Sequence, residues 1–426
     1  MTAPGSSSTL DQWLRWLETL APNEIDLGLE RVAEVLGRMR LPPLGTVITV
    51  AGTNGKGSSV AMLEALFIAA GRRVGAYTSP HLVHYAERIR VDGAAVADAG
   101  IIAAFRRVES VREGVALTYF EYGTLAALQV FAESGAEVLV LEVGLGGRLD
   151  AVNVVDADAC LITNIGLDHC DWLGPDVESI AAEKAGVMRP GRPVVFGSAE
   201  PPNAIRATAE RLGAELVVAG RDFNSELEGD GRWSWLGRRI RLAGLEPPAL
   251  GGPHQVRNAA AVLALIEAMG FDAMLERGLI DSAFARLRLD GRMQRVSAWD
   301  RHWLLDVAHN PDGASVLAEA LRSRKPAGRL LAVTGILADK DAGAMIDALG
   351  PVVDAWIACT PASGRALEGR ELASLIANRT GKPCLVGMDP VDALLRARQR
   401  AGPDDLVLVA GSFYTVGPAL AALTRA

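Results

Sequence analysis

Cysteine is scarce in this sequence. Only Cys160, Cys170, Cys359 and Cys384 occur, and no two form a C-x-x-C pair. That excludes a disulfide framework and a thiolate zinc site. Positive charge is also short: 43 basic against 51 acidic residues leave a formal net charge of −8. A chain that coats nucleic acid or an anionic membrane needs the opposite balance, so neither is expected as a partner. Met1 to Thr9 carries no basic residue and no apolar core, so the signal-peptide pattern is missing. One uncharged run, Leu406 to Thr424, has the length of a membrane span, but Gly411-Ser412 and Gly417-Pro418 divide it into strand, loop and helix. No internal repeat or low-complexity segment appears. These absences predict a cytoplasmic protein.

What is present is a globular composition, half hydrophobic and 22% charged over 426 residues, enough for two or three domains. Short β-branched runs alternate with longer helical segments, the pattern of a parallel α/β architecture. Asp11–Leu20 and Asp26–Met39 read as amphipathic helices. Buried strands are expected at Thr46–Ala51, Arg73–Thr78, Glu137–Val143, Ala159–Asn164 and Pro193–Gly197. A segment rich in Trp and Arg, Arg221–Leu242, reads as a small hairpin insertion. The alternation breaks near Leu289-Asp290-Gly291-Arg292 and then restarts. That places one domain at 1–290, a connector at 291–297 and a smaller α/β domain at 298–426.

The strongest chemical signal is Val50-Ala51-Gly52-Thr53-Asn54-Gly55-Lys56-Gly57-Ser58-Ser59, between a buried strand and a helix. Glycines let backbone N–H groups approach oxyanions, the helix N-terminus adds its dipole, and Lys56 adds a charge. The string departs from G-x-x-x-x-G-K-[ST], because Val50 replaces the first glycine and Gly57 separates Lys56 from Ser58. Nucleotide binding follows from it. Glu142, after four apolar residues and before Gly144, belongs at the carboxyl end of a strand, where open α/β sheets place ligands. A carboxylate there is a natural Mg²⁺ ligand, with a loop cap as the other reading.

The string GTNGKGS resembles the loop of the ATP-dependent amide ligases that include the Mur ligases and folylpolyglutamate synthases. Further matching strings are Thr78-Ser79-Pro80-His81-Leu82, Thr118-Tyr119-Phe120-Glu121-Tyr122-Gly123-Thr124 and Leu141-Glu142-Val143-Gly144-Leu145-Gly146-Gly147-Arg148-Leu149-Asp150. Leu167-Asp168-His169-Cys170-Asp171-Trp172-Leu173-Gly174, Glu183-Lys184-Ala185-Gly186, Asp306-Val307-Ala308-His309-Asn310-Pro311 and Gly411-Ser412-Phe413 follow in order. The whole chain looks like the bacterial dihydrofolate synthase/folylpolyglutamate synthase family. The resemblance implies a P-loop N-terminal ATPase domain with a mostly parallel sheet, and a smaller Rossmann-like C-terminal domain for glutamate ligation.

It also implies roles. Asn54, Gly55, Lys56, Gly57, Ser58, Asn258, Arg292 and Asp306 match ATP-contacting positions, the last three grouped across a cleft from the loop. Ser58, Ser79, Glu142, His169 and Lys184 match a site for Mg²⁺, two ions in all, and a monovalent cation is allowed. Lys56, Glu142, His169 and Lys184 are the expected catalytic set. Lys184 matches a carbamylated lysine, although a helix starting near Pro175 would also leave it as a solvated surface residue. Thr118, Phe120, Glu121, Asp150 and Ala151 match pterin-binding segments, with Tyr119 and Tyr122 as further aromatic faces; core aromatics are the other reading. Asp168 and Asp171 are placed to orient His169. Arg292 fits either a phosphate contact or a hinge ion pair. His309 and Ser412 match a glutamate site.

The activity implied is ATP-dependent ligation of L-glutamate to dihydropteroate and to reduced folates, releasing ADP and phosphate through an acyl phosphate. Domain closure would exclude water from that intermediate. The expected partners are small molecules alone, and the expected state is a monomer. Folylpolyglutamate synthesis alone, a Mur-type ligase for cell-wall precursors and a non-catalytic nucleotide switch are the competing readings. The loop begins too near the start, at Gly52, to leave room for an additional N-terminal substrate domain.

Overall fold

The computed structural model describes the chain except residues 1, 2, 6, 22–24, 323–325 and 426. It divides into two compact units, the first holding residues 1–80, 86–249 and 255–287, the second 81–85, 250–254 and 288–426.

The first unit is built on an eight-stranded sheet of β1 (Thr46–Ala51), β2 (Val74–Tyr77), β3 (Ile89–Val91), β4 (Ala94–Ala95), β5 (Val138–Glu142), β6 (Ala159–Ile162), β7 (Pro193–Phe196) and β8 (Glu215–Val218). The spatial order is β4-β3-β2-β5-β1-β6-β7-β8. The six strands from β2 to β8 in that order are parallel, and β3 and β4 extend the edge antiparallel. Strand β5 is buried along its whole length and β1 along all but its first residue, as continuous apolar runs between helices require. In register, Val50 stands opposite Glu142 and Ala51 opposite Ile162, while Tyr77 stands opposite Leu141. The carboxyl ends of four neighbouring strands, β2, β5, β1 and β6, therefore meet at one rim of the sheet.

The segment rich in Trp is a three-stranded antiparallel sheet, not a hairpin: β9 (Asn224–Leu227), β10 (Trp233–Leu236) and β11 (Arg241–Leu245). The two indoles are buried and donate to backbone carbonyls, Trp233 to Glu246 at 3.1 Å and Trp235 to Ala260 at 3.1 Å. Ala260 lies on helix Pro253–Ala268. At the far end of that helix the buried Glu267 carboxylate accepts the N–H groups of Arg238 (2.9 Å), Arg239 (2.8 Å) and Ile240 (2.9 Å). The insertion is thus clamped to the helix at two points.

A second difference concerns Asp26–Met39. The helix starts only at Glu30. Arg31 holds the preceding residues in an irregular turn through the Asp26 carboxylate (2.8 Å) and the Asp26 carbonyl (2.7 Å). Gly28 weakens helical continuation there as well.

The second unit holds a six-stranded sheet of β12 (Gln294–Ala298), β13 (Arg301–Leu305), β14 (Leu330–Thr334), β15 (Ala355–Ala358), β16 (Cys384–Val386) and β17 (Leu406–Ala410), in the order β12-β13-β17-β14-β15-β16. Only β12 is antiparallel. It occupies most of the stretch read as a connector. Its residues, Gln294-Arg295-Val296-Ser297-Ala298, are mostly polar and none is buried, so this edge strand lacks the apolar pattern that marks a strand in sequence. Period-two alternation gives this sheet two cores. Leu304, Leu330, Ala332 and Leu408 pack on one face, and Leu305, Leu331, Val333 and Val409 on the other.

Glu267→Ala leaves three half-buried backbone N–H groups without their carboxylate acceptor. It is expected to cost about 1 to 2 kcal/mol of stability in urea unfolding. A loss below a few tenths would show that the clamp is replaceable.

Candidate functional site

The site of the first unit is assembled at the rim where the four strand ends meet. After β1 the chain turns through Gly52, whose φ of +141° and closeness to Thr163 tolerate no side chain, since a Cβ would lie 1.9 Å from Thr163 Oγ1. Gly55 (φ +85°) then caps helix Lys56–Ala69. The loop is braced from the end of β6. Asn54 N–H donates to Asn164 Oδ1 at 3.0 Å, while Asn164 Nδ2 and Thr163 Oγ1 donate to the Asn54 carbonyl at 3.1 and 2.7 Å. Thr53 Oγ1 accepts Gly166 N–H at 3.0 Å. Sequence reading missed Thr163, Asn164 and Gly166 as loop supports; the strand end itself was the only signal.

Two lysines converge on one carbonyl. Lys56 Nζ donates to Gly52 O at 3.0 Å and to Thr53 O at 3.2 Å, and Lys184 Nζ donates to Gly52 O at 3.1 Å. Lys184 lies on helix Val177–Ala185, whose N-terminus the Asp176 carboxylate caps. It is 5% exposed, so the solvated alternative is ruled out. Burial, reinforced by the Lys56 charge, lowers its pKa to about 7 against the weaker pull of Asp168 and Asp150. Asp150 is pushed the other way, to about 6, by burial that outweighs the N–H groups of Leu145 and Val152 on its carboxylate and the charge of Lys56.

Glu142 ends β5 with its side chain buried, accepting Ser79 N–H at 3.2 Å. A Cβ on Gly57 would stand 3.7 and 3.8 Å from its two oxygens, so the carboxylate faces the first turn of the phosphate-loop helix. Ser58 follows in that turn, buried, with its Oγ accepting Gln255 Nε2 at 3.3 Å. His169 follows a loop from β6, in the left-handed region at φ +55°, with Nε2 3.9 Å from Asp168 Oδ1. A non-glycine residue in that region carries strain. Among the described residues no three side chains of His, Cys, Asp or Glu gather into a metal cage. The donors present, one carboxylate with serine hydroxyls beside a phosphate loop, suit Mg²⁺, which takes its remaining ligands from phosphate and water.

Asn258 was expected with Arg292 and Asp306. The structure instead puts it in the first unit, its Oδ1 2.8 Å from where a Gly55 Cβ would stand. Its Nδ2 donates to Gln255 Oε1 at 3.1 Å.

The pterin candidates divide. Phe120 is half-buried and seated on Gly144, where a Cβ would come within 2.8 Å of the ring; Tyr77 lies 5.8 Å from it between centroids. Asp150 caps the short turn Ala151–Val154 and bonds the same glycine loop through Leu145 N–H. Thr118 and Glu121 form a capping box for helix Tyr119–Ser134, and Arg31 pairs with Glu121 at 3.1 Å. Tyr122 is no ligand face. It is fully buried, donates to Phe105 O at 3.0 Å and packs edge-on against Trp16 and Phe105.

In the second unit Asp306 follows β13, with its carboxylate accepting the N–H groups of Met293 (3.0 Å) and Ala308 (2.9 Å). Burial raises its pKa, while Arg292, those N–H groups and His309 oppose the rise. Arg292 lies over the Phe413 ring at 5.4 Å, and His309, bonded through Nδ1 to Val307 O at 2.9 Å, lies 5.9 Å from the same ring. The buried Ser412 hydroxyl caps helix Phe413–Thr424 through Thr415 N–H at 3.1 Å. No helix among the described residues is long and apolar enough to cross a membrane.

With this geometry in place, comparison with known proteins is direct. The profile of the Mur ligase middle domain matches residues 50–266, and that of the Mur ligase glutamate ligase domain matches 291–413. The dihydrofolate synthase/folylpolyglutamate synthase of Escherichia coli strain K12 is 43% identical over 97% of this chain and 95% of its own. A structure of E. coli FolC in complex with DHPP and ADP is 41% identical and superposes with a TM-score of 0.92 over 99% of both chains. A bifunctional folylpolyglutamate synthase/dihydrofolate synthase solved with Mn, AMPPNP and L-glutamate bound is 40% identical, with a TM-score of 0.91 over 99% of this chain and 100% of that one. Two domain profiles in the right order, near-complete coverage and a phosphate loop ringed by acidic and basic side chains agree: the chain belongs to the Mur ligase family, in its dihydrofolate synthase/folylpolyglutamate synthase branch.

Proposed function

We propose that this enzyme joins L-glutamate to dihydropteroate, forming dihydrofolate, and to reduced folates, forming folylpolyglutamates, with ATP converted to ADP and phosphate. The observation that carries the reading is the convergence of four strand ends on a phosphate loop that faces a buried carboxylate. A substrate carboxylate attacks the γ-phosphorus of ATP and expels ADP, giving an acyl phosphate. The α-amine of glutamate then adds to the acyl carbon, and phosphate leaves from the tetrahedral intermediate as the amide forms.

Both reactants of the first step are anions, so the site must neutralise charge. Lys56 and the loop N–H groups hold the phosphates, with Asn54, Gly55, Gly57 and Ser58 shaping the cradle and Asn258 lying over Gly55. Glu142, Ser58 and Ser79 are the residues that would hold Mg²⁺, and His169 adds a nitrogen donor. Bound there, the ion would draw charge from the phosphate oxygens. A lysine with a pKa near 7 is partly neutral at physiological pH. Such an amine adds CO₂ to give a carbamate and a proton, and the anion formed would extend the metal set. Phe120 offers the acceptor a flat face, with Thr118, Ala151 and the Asp150 carboxyl near the same loop. Arg292 and Asp306 are read as nucleotide contacts of the second unit. His309 and Ser412 are read as glutamate contacts.

ADP release in the presence of ATP, Mg²⁺ and L-glutamate is expected with either dihydropteroate or a reduced folate monoglutamate as acceptor. Turnover with the folate alone would remove the first activity, and turnover with neither would leave only nucleotide binding. Phe120→Ala is expected to raise KM for dihydropteroate about tenfold through lost ring contact, with KM for ATP unchanged.

Lys184→Ala should lose nearly all turnover and recover part of it with short carboxylates such as acetate; full activity without them would exclude a metal role. The stability effect has a defined sign. The folded-state pKa is near 7 and the unfolded value 10.5, so between them the unfolded chain binds a proton that the folded chain does not. Stability of the unmodified protein therefore rises with pH across that window and carries the full burial penalty below it. In CO₂-free buffer Lys184→Met should raise the unfolding free energy by on the order of a few kcal/mol at pH 6, and by less at pH 9. Equal gains at the two pH values would contradict a depressed lysine.

A further inference from the structure

We infer that Gln255 is a positioning residue of the nucleotide site, setting the direction of the Ser58 hydroxyl through a relay that runs from Asn258. The inference rests on the reading of Ser58 as the hydroxyl that faces phosphate and metal.

Three side chains form the relay. Asn258 Nδ2 donates to Gln255 Oε1 at 3.1 Å, and Gln255 Nε2 donates to Ser58 Oγ at 3.3 Å. Gln255 and Ser58 are each 2% exposed, so no bulk water competes for these bonds. Both ends of the relay touch the phosphate loop: Ser58 lies in its helix, and Asn258 lies against Gly55.

The polarity of the relay matters more than its existence. A glutamine amide has one accepting end and one donating end. Because Asn258 donates to Oε1, the end that meets Ser58 is the donor. A hydroxyl carries one proton and two acceptor positions. Gln255 occupies one acceptor position and cannot take the proton. Ser58 therefore retains one lone pair for a cation and turns its O–H toward an anion. That is the arrangement a Mg²⁺–phosphate pair needs from a single serine. Asn258 reads the presence of loop and nucleotide on one side, and Ser58 is set correctly on the other. Gln255 and Ser58 are 197 positions apart in sequence, which is why the relay is invisible without the fold.

The test uses ADP binding to the full chain by calorimetry, in Mg²⁺ and in EDTA. In the wild type, Mg²⁺ should tighten ADP binding, and Ser58→Ala should abolish most of that tightening. If Ser58→Ala retains all of it, the reading of Ser58 fails, independently of Gln255. Gln255→Met keeps length and bulk but removes the two relay bonds. It should lose about fivefold or more of the Mg²⁺-dependent tightening, with affinity in EDTA within about twofold of the wild type. Gln255→Glu presents an acceptor to Ser58, recruits its proton and should lose at least as much. In the Ser58→Ala background Gln255→Met should add nothing further. The inference is overturned if Gln255→Met keeps the wild-type Mg²⁺ effect. It is also overturned if the variant weakens binding equally with and without Mg²⁺, or if the two losses multiply. Thermal melting of each variant separates these outcomes from misfolding, and Gln255→Glu carries the test should Gln255→Met unfold.

Discussion

Everything at this site is arranged around one backbone oxygen. The Gly52 carbonyl accepts from two ammonium groups, Lys56 and Lys184, at 3.0 and 3.1 Å. Two like charges that share an acceptor repel, and in a desolvated setting the more deeply buried one yields its proton more readily. The fold thus creates an inequality between two lysines of the same chemical type. Lys184, buried where Lys56 is half-buried, is the one whose ammonium form is disfavoured. The inequality depends on Gly52 lacking a side chain, because the turn that aims its carbonyl brings Thr163 into contact with the α-carbon. Sheet, loop and lysines are therefore a single constraint.

The acidic side of the site follows the same logic. Glu142 and Asp150 leave the same glycine-rich segment but meet different fates. Glu142 ends its strand beside the phosphate-loop helix. Asp150 is folded back onto the N–H groups of its own loop and is desolvated enough to titrate near 6. Phe120 covers Gly144 between them. Two carboxyl groups a few residues apart are thus set apart by environment alone.

Much of this was legible in the sequence because it is local. β1 and β17 appear at their expected bounds, since a short apolar run bounded by turn residues leaves few alternatives. The phosphate loop and the strand-end place of Glu142 were legible for the same reason. The bracing of Asn54 by Asn164 and the donation of Gln255 to Ser58 were not, because they join residues 110 and 197 positions apart. Asn258 was assigned to the wrong neighbours because its helix follows an insertion, and sequence distance then misleads about space. Tyr122 reads like a ligand face until the Phe105 carbonyl and two aromatic rings claim it. The edge strand β12 was hidden by its own polarity.

The rim where the phosphate loop lies has an opposite rim, at the entering ends of the parallel strands. The turns entering β2, β5 and β7 pass through Gly71, Gly135 and Gly191, each at positive φ with open space where a side chain would stand. Chain length there is uncoupled from the geometry of the loop, the carboxylates and the lysines. An insertion at that rim would leave the loop, the carboxylates and the lysines in place. The same polarity makes these turns natural points for splicing in a reporter or a second protein.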